Sequence, residues 1–315
     1  MKKFLLSILS LLALTFSVQA KEDFPTKAIK IITNLPVGSA PDVYVRKVAV
    51  ELESKVRQPV VVENKPGGAG LVALEHYLLQ PADGHTLFFG DFGIFVVTPN
   101  LYNKDLLFGR IKPLTIGYIG RWIIVTPPNI TNLAQLKQEL RKNPNYGSWA
   151  VGSGGHICGA ELTQLLGVNA QHVPYKEQTQ WLADTSAGVF PFGCSSVGST
   201  ESLHKAGKLN YLAVADNRRD IYYPSLPTIK ELTGYHFQAG EVWSAFYIHS
   251  STDTEKAKLI ENTLRDINRS HQIVNQVKNL KGFSADNSSR EMEQLRKNNI
   301  DLYNTLLKKY NISVN

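Results

Sequence analysis

The chain has 315 residues, of which 43% are hydrophobic and 19% charged, and its formal net charge is +7 at pH 7. This length suits two domains of ordinary size. The Lys and Arg residues are scattered, with no block of five or more, so the charge pattern argues against nucleic-acid binding. The mild positive balance is compatible with a small acidic ligand.

Residues 1–20 are typical of a secretory signal peptide. They comprise a basic start (Lys2, Lys3), an apolar run over 4–16 and a small-x-small cleavage site at Val18-Gln19-Ala20. The apolar run is too short for a membrane span, and no later run reaches spanning length. We therefore expect a mature chain that begins near Lys21 and lies in the periplasm.

The first third of the chain alternates strands and helices. Short apolar runs predict strands at 28–33, 58–63 and 85–89, and helical spacing of apolar residues predicts helices over 43–56 and up to about Leu79. This βαβαβ order indicates an α/β domain with a largely parallel sheet.

The loop from Asn34 to Asp42, between the first strand and the first helix, is the main candidate binding segment. Gly38-Ser39-Ala40 are small, and Pro41 suits the first turn of a helix. A helix N-terminus offers unpaired N–H groups and the positive end of the helix dipole, which attract an anion. An ordinary βα turn explains the same residues.

A second α/β series follows the irregular stretch 91–112. Strands are predicted at 122–125, 148–151, 171–173, 189–194 and 211–214, and helices at 133–141, up to Leu166, at 178–187 and at 199–206. The loop Gly152–His156 repeats the strand, glycine loop, helix arrangement. Since ligands of such sheets lie beside helix N-termini, two facing loops would form one anion-binding cleft.

The last part of the chain is mostly helical. A strand is predicted at 243–248 and helices at 254–267, at 271–280 and from a capping box at Ser288-Ser289-Arg290-Glu291. The apolar face of the last helix favours packing on the body of the protein over binding a partner.

Motifs for nucleotides, metals and catalysis are missing or incomplete. Ile157 stands where a GxGxxG motif needs glycine, and HExxH and CxxC patterns are missing. His156 with Cys158 or Ser195 would allow a hydrolase, but no G-x-S-x-G elbow accompanies them. We expect a capping or cleft-lining His156, no cofactor, no metal and no enzymatic activity.

Two further features are left open by the residues. An oxidising compartment permits a disulfide between Cys158 and Cys194, and buried free thiols are the alternative. The four tryptophans suit cores and domain interfaces, and one or two at a cleft would favour an aromatic or apolar ligand body. Tyr175 follows a strand and can face the cleft.

Short motifs also occur along the chain in a specific order. The first are Phe24-Pro25-Thr26-Lys27, Pro36-x-Gly38 with Asp42 and Arg46, Gln58-Pro59-Val60-Val61-Val62-Glu63-Asn64-Lys65-Pro66-Gly67, and Pro81-Ala82-Asp83-Gly84-His85-Thr86-Leu87. Later ones are Gly152-Ser153-Gly154 with His156, His172-Val173-Pro174-Tyr175-Lys176, Ala206-Gly207-Lys208-Leu209, Leu212-Ala213-Val214 and Pro224-Ser225-Leu226-Pro227-Thr228. Over residues 22–315 the chain resembles the Bug (TctC-like) family of periplasmic receptors for tripartite tricarboxylate transporters.

The resemblance implies an α/β fold of the periplasmic-binding-protein type. This is a two-domain clamshell (Venus flytrap) in which each domain is a mostly parallel sheet flanked by helices. We expect domain 1 to comprise 21–122 plus 245–315 and domain 2 to comprise 123–244. Family ligands are mostly carboxylates, held by backbone N–H groups of the loops that correspond to Leu35–Ala40 and Ser153–His156.

The candidate ligand-binding residues come from both halves of the chain. They are Leu35, Pro36, Val37, Gly38, Ser39, Ala40, Asp91, Phe92, Ser153, Gly154, Gly155, His156, Tyr175, Ser195 and Ser196. Asn34, Val37, Ser39, Ala40 and Pro41 differ from the family's first loop, which is usually richer in Pro and Gly. Ser195-Ser196 stand where an Asp and a polar residue are common, and 103–125 looks shortened.

The sequence therefore predicts a periplasmic receptor, expected to be a monomer, that captures a small organic anion. Its expected partners are the membrane permease subunits of a tripartite tricarboxylate-type transporter. A ligand sensor for a signalling partner and a secreted hydrolase are the alternatives.

Overall fold

The computed structural model describes residues 24–239 and 241–314; the predicted signal peptide lies outside these ranges. Within them the strands are β1 (Ile29–Thr33), β2 (Val60–Asn64), β3 (Thr86–Asp91), β4 (Ile111–Thr126), β5 (Asn145–Trp149), β6 (Gln171–Tyr175), β7 (Gly193–Ser196), β8 (Asn210–Val214), β9 (Glu241–His249) and β10 (Phe283–Ser284).

The helices connect these strands and end the chain. They are α1 (Ala40–Val56), α2 (Leu71–Leu78, after a 3₁₀ turn at Gly68–Gly70), α3 (Phe92–Val96), α4 (Thr98–Leu101), α5 (Asp105–Phe108), α6 (Leu133–Lys142), α7 (Gly154–Leu165), α8 (Gln178–Ser186), α9 (Val197–Lys205), α10 (Ile229–Thr233), α11 (Thr254–Arg269), α12 (His271–Asn279) and α13 (Ser289–Lys309).

Two groups of parallel strands are joined by the long strands β4 and β9. In the first group β1 pairs in parallel with β2 and β3, and β3 then pairs antiparallel with β9. In the second group β5 pairs in parallel with β6 and β7. The strand order β2-β1-β3-β9-β4-β7-β5-β6, with β8 and β10 also on β4, defines two lobes of a clamshell.

Strand β4 belongs to both lobes. Its register with β9 runs from Ile111 opposite His249 to Arg121 opposite Glu241, and its last residues pair with β7 and β8. The boundaries expected at 122/123 and 244/245 fall inside β4 and β9, and they stay a prediction. The predicted strand 122–125 is only the end of β4. Residues 111–121 were not predicted as strand because Pro113 is unfavourable within one, and in the structure the pairing with β9 has two register shifts along this stretch.

Two other predicted strands were wrong in their bounds. Residue 150 has a left-handed backbone (φ 59°) and Gly152 has φ 78°, so 150–152 form a turn and β5 ends at Trp149. The segment 189–192 begins with a turn in which the Val189 amide donates to the Asp184 carbonyl, and β7 starts at Gly193.

Apolar helix faces cover the sheets of both lobes. In the first lobe α1 and α11 pack their buried faces on one side of the sheet, as at Val45, Leu264 and Ile31. A larger cluster on the other side includes Phe92 and Trp122 and continues from one lobe into the other. The core is therefore shared across the crossing strands and fixes the base of the cleft.

The predicted capping box at the start of the last helix is confirmed. The Ser288 hydroxyl accepts from the Glu291 amide, and the Glu291 carboxylate accepts from the Ser288 amide. In the described part of the chain, none of the helices combines the length and the apolar character that crossing a bilayer requires.

Candidate functional site: the cleft between the lobes

A cavity between the two lobes collects the ends of several strands and helices. Its volume is ≈ 50 Å³, well below the roughly 300–1,000 Å³ of typical ligand pockets, so the cleft is nearly closed. Its lining residues are Leu35, Pro36, Ser39, Pro41, Asp91, Phe92, Trp122, Trp149, Gln178, Trp181, Cys194, Ser195, Ser196, Ser199 and Ser244.

The first loop is held by the buried carboxylate of Asp42. That carboxylate accepts from the Gly38 amide (3.0 Å), from Nε of Arg46 (3.1 Å) and from Nδ2 of Asn64 (2.7 Å). Nδ2 of the Asn64 side chain also donates to the Leu35 carbonyl at 3.1 Å. The side chains of Asp42, Arg46 and Asn64 thus fix the conformation of the loop.

Three backbone amides of the first loop already have acceptors in this conformation. The Gly38 amide is used by Asp42, the Ser39 amide donates to the Pro36 carbonyl, and the Ala40 amide donates to the Ser199 hydroxyl of the other lobe. These three N–H groups are not free in this conformation. Ligand contact through the backbone of this loop therefore stays a prediction, and it would require these amides to exchange their present acceptors.

The second loop is capped by its own side chains. Ser153 is the N-cap of α7 and accepts from the His156 amide at 3.2 Å, while Nδ1 of His156 accepts from the Gly152 amide at 3.0 Å. A Cβ on Gly154 would lie 2.3 Å from the Trp122 ring and 2.6 Å from the Phe92 ring. Only glycine lets this loop close on the first lobe.

A third helix N-terminus faces the same cavity. Helix α9 begins at Val197, and its N-cap Ser196 makes no side-chain capping bond; the Ser196 hydroxyl donates to Ser199 at 3.0 Å. Ser195, Ser196 and Ser199 all line the cleft. Sequence reasoning missed this N-terminus because it ended the strand at 194 and started the helix at 199.

Aromatic side chains form much of the cleft wall. Trp122, Trp149, Trp181 and Phe92 line it, whereas Trp243 packs on Phe92 behind it. The indole N–H groups of Trp122 and Trp181 and the hydroxyl of Ser244 are buried without a hydrogen-bond partner among the described residues. Buried donors without hydrogen-bond partners are energetically costly.

Asp91 is the ionisable side chain of the cleft. It is 6% exposed, is the N-cap of the short helix α3, and accepts from Nδ2 of Asn34 (2.7 Å) and from the Gly93 amide (3.2 Å). Burial raises the pKa of this carboxyl, and the hydrogen bonds oppose the rise in part.

The structure brings seven of the candidate residues to the cavity and places the others around it. The seven are Leu35, Pro36, Ser39, Asp91, Phe92, Ser195 and Ser196. Ser153 lines a small adjoining cavity of ≈ 10 Å³ together with Asp91 and Trp149. Ligand contact by any of them remains a prediction.

Other candidate residues do not line the cavity. Val37 is 59% exposed, Ala40 is buried, and the Tyr175 hydroxyl donates to Asp184 at 2.5 Å. Gly38 has open space around it, and Gly155 packs on Ser148 and the Cys194 carbonyl. The cavity residues outside the candidate set are Pro41, Trp122, Trp149, Gln178, Trp181, Cys194, Ser199 and Ser244. Pro41 lies in the candidate loop 34–42, and the tryptophans suit domain interfaces.

His156 lies on the far side of its loop. Its ring stacks on His172 at 3.8 Å, and both rings line a separate surface cavity of ≈ 480 Å³ beside the C-terminal residues Lys309 to Ser313. Burial lowers the pKa of His156 to about 4; burial and then the charge of His156 lower that of His172 to about 2. Nδ1 of His156 is occupied by the Gly152 amide.

The two cysteines are joined in a disulfide. Cys158 on α7 and Cys194 on β7 have Cα atoms 6.2 Å apart and close a loop of 36 residues in the second lobe. The question left open by the sequence is thereby answered in favour of the bridge. Cys158 then has no free thiol, and Ser195 and His156 line different cavities, so the nucleophile arrangements considered from sequence are not assembled.

Comparison with known proteins places this architecture in a family. The family model described as the tripartite tricarboxylate transporter family receptor matches residues 44–312. A protein of Bordetella pertussis from the group named UPF0065 is 27% identical over 250 residues, which are 78% of this chain and 77% of that protein.

Solved structures show the same fold at low sequence identity. The periplasmic binding protein BugD superposes with a TM-score of 0.84 at 21% identity, over 92% of this chain and 99% of that one. Rpa4515 of R. palustris with adipate gives 0.84 at 23% identity, also over 92% and 99%. Together with the family match, the two lobes and their cleft establish that this chain belongs to the tripartite tricarboxylate transporter family of receptors.

Proposed function

We propose that this protein is a periplasmic receptor that captures a small carboxylate between its lobes and presents it to membrane permease subunits of a tripartite tricarboxylate-type transporter. It acts as a monomer after removal of residues 1–20, and it binds its ligand without chemical change. The structure related to it that contains adipate supports the choice of a carboxylate.

The observation that carries the proposal is the set of donors around one cavity. Two indole N–H groups, those of Trp122 and Trp181, are buried and unpaired, and serine hydroxyls with the N-termini of α7 and α9 adjoin them. Hydrogen bonds to a charged group contribute about 1.5–3 kcal/mol each, and micromolar affinity needs about 8 kcal/mol. Several such bonds suffice without a basic side chain.

The test is a thermal-shift and calorimetric screen of mono-, di- and tricarboxylates against the mature protein, with neutral sugars and simple amines as other solute classes. A ligand at about 100 times its Kd should add about 2.7 kcal/mol to the free energy of unfolding. If only non-carboxylate solutes raise the melting temperature, the proposal is wrong.

A pair of matched variants locates the site. Trp181→Phe removes one unpaired indole donor and should weaken binding of the best carboxylate about 10-fold. Trp243→Phe makes the same chemical change behind the cavity and should leave affinity unchanged. Equal effects of the two variants would place the ligand elsewhere.

A further inference from the structure

The cleft contains a carboxylate and no opposing cation. Among the described residues, the lining of the cleft and of the small cavity beside it includes Asp91 but no Lys, Arg or His. The groups that hydrogen-bond the Asp91 side chain, among them the Asn34 side-chain amide and the Gly93 backbone amide, are all neutral. The site therefore has an uncompensated acidic group in a nearly closed space.

A capping role alone does not explain an aspartate here. Ser, Thr or Asn caps a helix as well as Asp does, and α3 has only five residues, so its dipole offers little to a charge. Burying a carboxylate without a cation has a large desolvation cost, which a neutral cap would avoid.

The surroundings of Asp91 suit a positively charged nitrogen. Trp149 borders both cavities together with Asp91, and Phe92 and Trp122 line the main one. Aromatic faces attract cations, and this attraction strengthens where water is excluded. When Asp91 is ionised, a second carboxylate at this position would instead meet a like charge.

We propose that the ligand is a zwitterion whose ammonium group lies against Asp91 and the cleft aromatics while its carboxylate takes the indole and serine donors. The part of this proposal that concerns the ligand carboxylate rests on the proposed function. The part that concerns the ammonium group is independent of it. Asp91 is then the residue that selects amino-carboxylates over dicarboxylates.

The test compares ligands that share one carbon chain and differ in their end groups. Calorimetry on the mature protein uses succinate, butanoate, 4-aminobutanoate and butylamine, and the six-carbon set adipate, hexanoate, 6-aminohexanoate and hexylamine. The amino-carboxylate of at least one set should bind at least 10-fold tighter than both the dicarboxylate and the monocarboxylate of that set. If no amino-carboxylate does so, the inference is overturned.

The variant Asp91→Asn keeps the cap and removes the charge. Affinity for the amino-carboxylate should fall at least 10-fold, while affinity for the matched dicarboxylate should stay level or rise. A purely structural Asp91 would weaken both ligands alike, which would also overturn the inference. Asp91→Ser retains a capping hydroxyl if Asp91→Asn fails to fold, and the exposed Asp301→Asn is the control.

Failure of this inference is distinguishable from failure of the proposed function. Dicarboxylates that bind as well as amino-carboxylates, with no loss in Asp91→Asn, contradict the ammonium contact and leave the carboxylate receptor intact. Binding of the amines alone contradicts the carboxylate receptor and leaves the Asp91 contact in place.

Discussion

At the scale of single residues, Asp42 determines the shape of the first loop. It is 1% exposed and joins the loop amide of Gly38 to the side chains of Arg46 and Asn64. Gly38 has φ 80°, a left-handed backbone that favours glycine. The loop is thus held both by this network around Asp42 and by the bonds of Ser39 to the Pro36 carbonyl.

Removing this carboxylate should weaken both the fold and ligand binding. Asp42→Ala removes the acceptor of the Gly38 amide and one acceptor of the half-buried Asn64 side-chain amide, and we expect the free energy of unfolding to fall by about 2–4 kcal/mol. Urea denaturation measures the change. Asp105→Ala, in the first turn of an exposed helix, should change stability by less than about 0.5 kcal/mol; equal losses would contradict this account.

His156 should make stability fall in acid. Burial lowers its pKa to about 4, whereas in the unfolded chain it titrates near 6.5, so the unfolded state binds more protons between these values. Its contribution is fully present above pH 6.5 and is lost as pH falls to 4, by about 3 kcal/mol.

Substitution isolates this contribution from other groups. The buried carboxyls of Asp91 and Glu161 have raised pKa values and act in the opposite direction, and His172 in the ring stack acts in the same one. His156→Asn can still accept from the Gly152 amide but does not titrate, so the slope of unfolding free energy against pH should flatten. The control His236→Asn, at an exposed position, should keep the wild-type slope. If the curve of His156→Asn ran parallel to that of the wild type, His156 would not be the source of the pH dependence.

At the scale of elements, α7 links the second loop to the chain segment that enters β9. Its first turn carries the loop bonds of Ser153 and His156. One turn later, buried Glu161 accepts from the Gln238 and Ala239 amides at 2.8 Å and from the Tyr235 hydroxyl. A shift of this helix therefore moves the loop and the entry of the crossing strand together.

The disulfide should stabilise this element. Closing a 36-residue loop stabilises the folded state by about 3–4 kcal/mol in the chain-entropy estimate. The double variant Cys158→Ala, Cys194→Ala should lose about that much in urea denaturation. A reductant should lower the stability of the wild type and leave the double variant unchanged; an equal response of both proteins would show that the bridge is not the cause.

The sequence predicted elements well where local signals were complete. The capping box at Ser288 and the apolar spacing of α11 depend only on residues close together in sequence. Both helices were predicted at the correct place. Strand β4 was not predicted over its length, because Pro113 and its register shifts are accommodated only by pairing with β9. Tertiary pairing of this kind leaves no local pattern.

The same limit applied to the cleft. Both glycine loops and Ser195-Ser196 could be proposed from motifs, because glycine and serine at strand ends have a local meaning. The positions of Trp122, Trp149 and Trp181 depend on how two lobes meet, and sequence spacing does not show this. The direction of the His156 side chain likewise depends on its stack with His172.

At the scale of the whole molecule, the lobes meet along an edge beside the cleft. The Ala40 amide of the first lobe donates to Ser199 of the second, and Lys281 lies 3.7 Å from the Glu201 carboxylate. A Cβ on Gly198 would lie 2.0 Å from the Leu280 carbonyl oxygen. Close approach of the lobes therefore requires glycine at position 198.

Enlarging Gly198 should hold the lobes apart. In Gly198→Ala the new methyl group clashes with backbone rather than with a flexible side chain, so the second lobe must move. We expect a larger radius of gyration in small-angle scattering and an affinity about 10-fold lower, since such overpacking costs about 1–3 kcal/mol.

The matched control is Gly109→Ala. Its backbone is helical (φ −66°), and its nearest contact would be an ordinary 3.7 Å to the Leu106 carbonyl oxygen. Scattering and affinity should equal those of the wild type. If Gly198→Ala also matched the wild type in both measurements, the edge contact would not limit closure.

The aromatic wall of the cleft has an optical consequence. Three of the four tryptophans in the sequence line the cavity, so three of the four indole fluorophores lie at the proposed ligand site. Ligand entry changes the polarity around these indoles and should shift their fluorescence without any attached dye. The intrinsic fluorescence of the wild-type protein can therefore report ligand binding without a label. Replacing Trp122, Trp149 and Trp181 by Phe one at a time would show which of these side chains a given solute contacts.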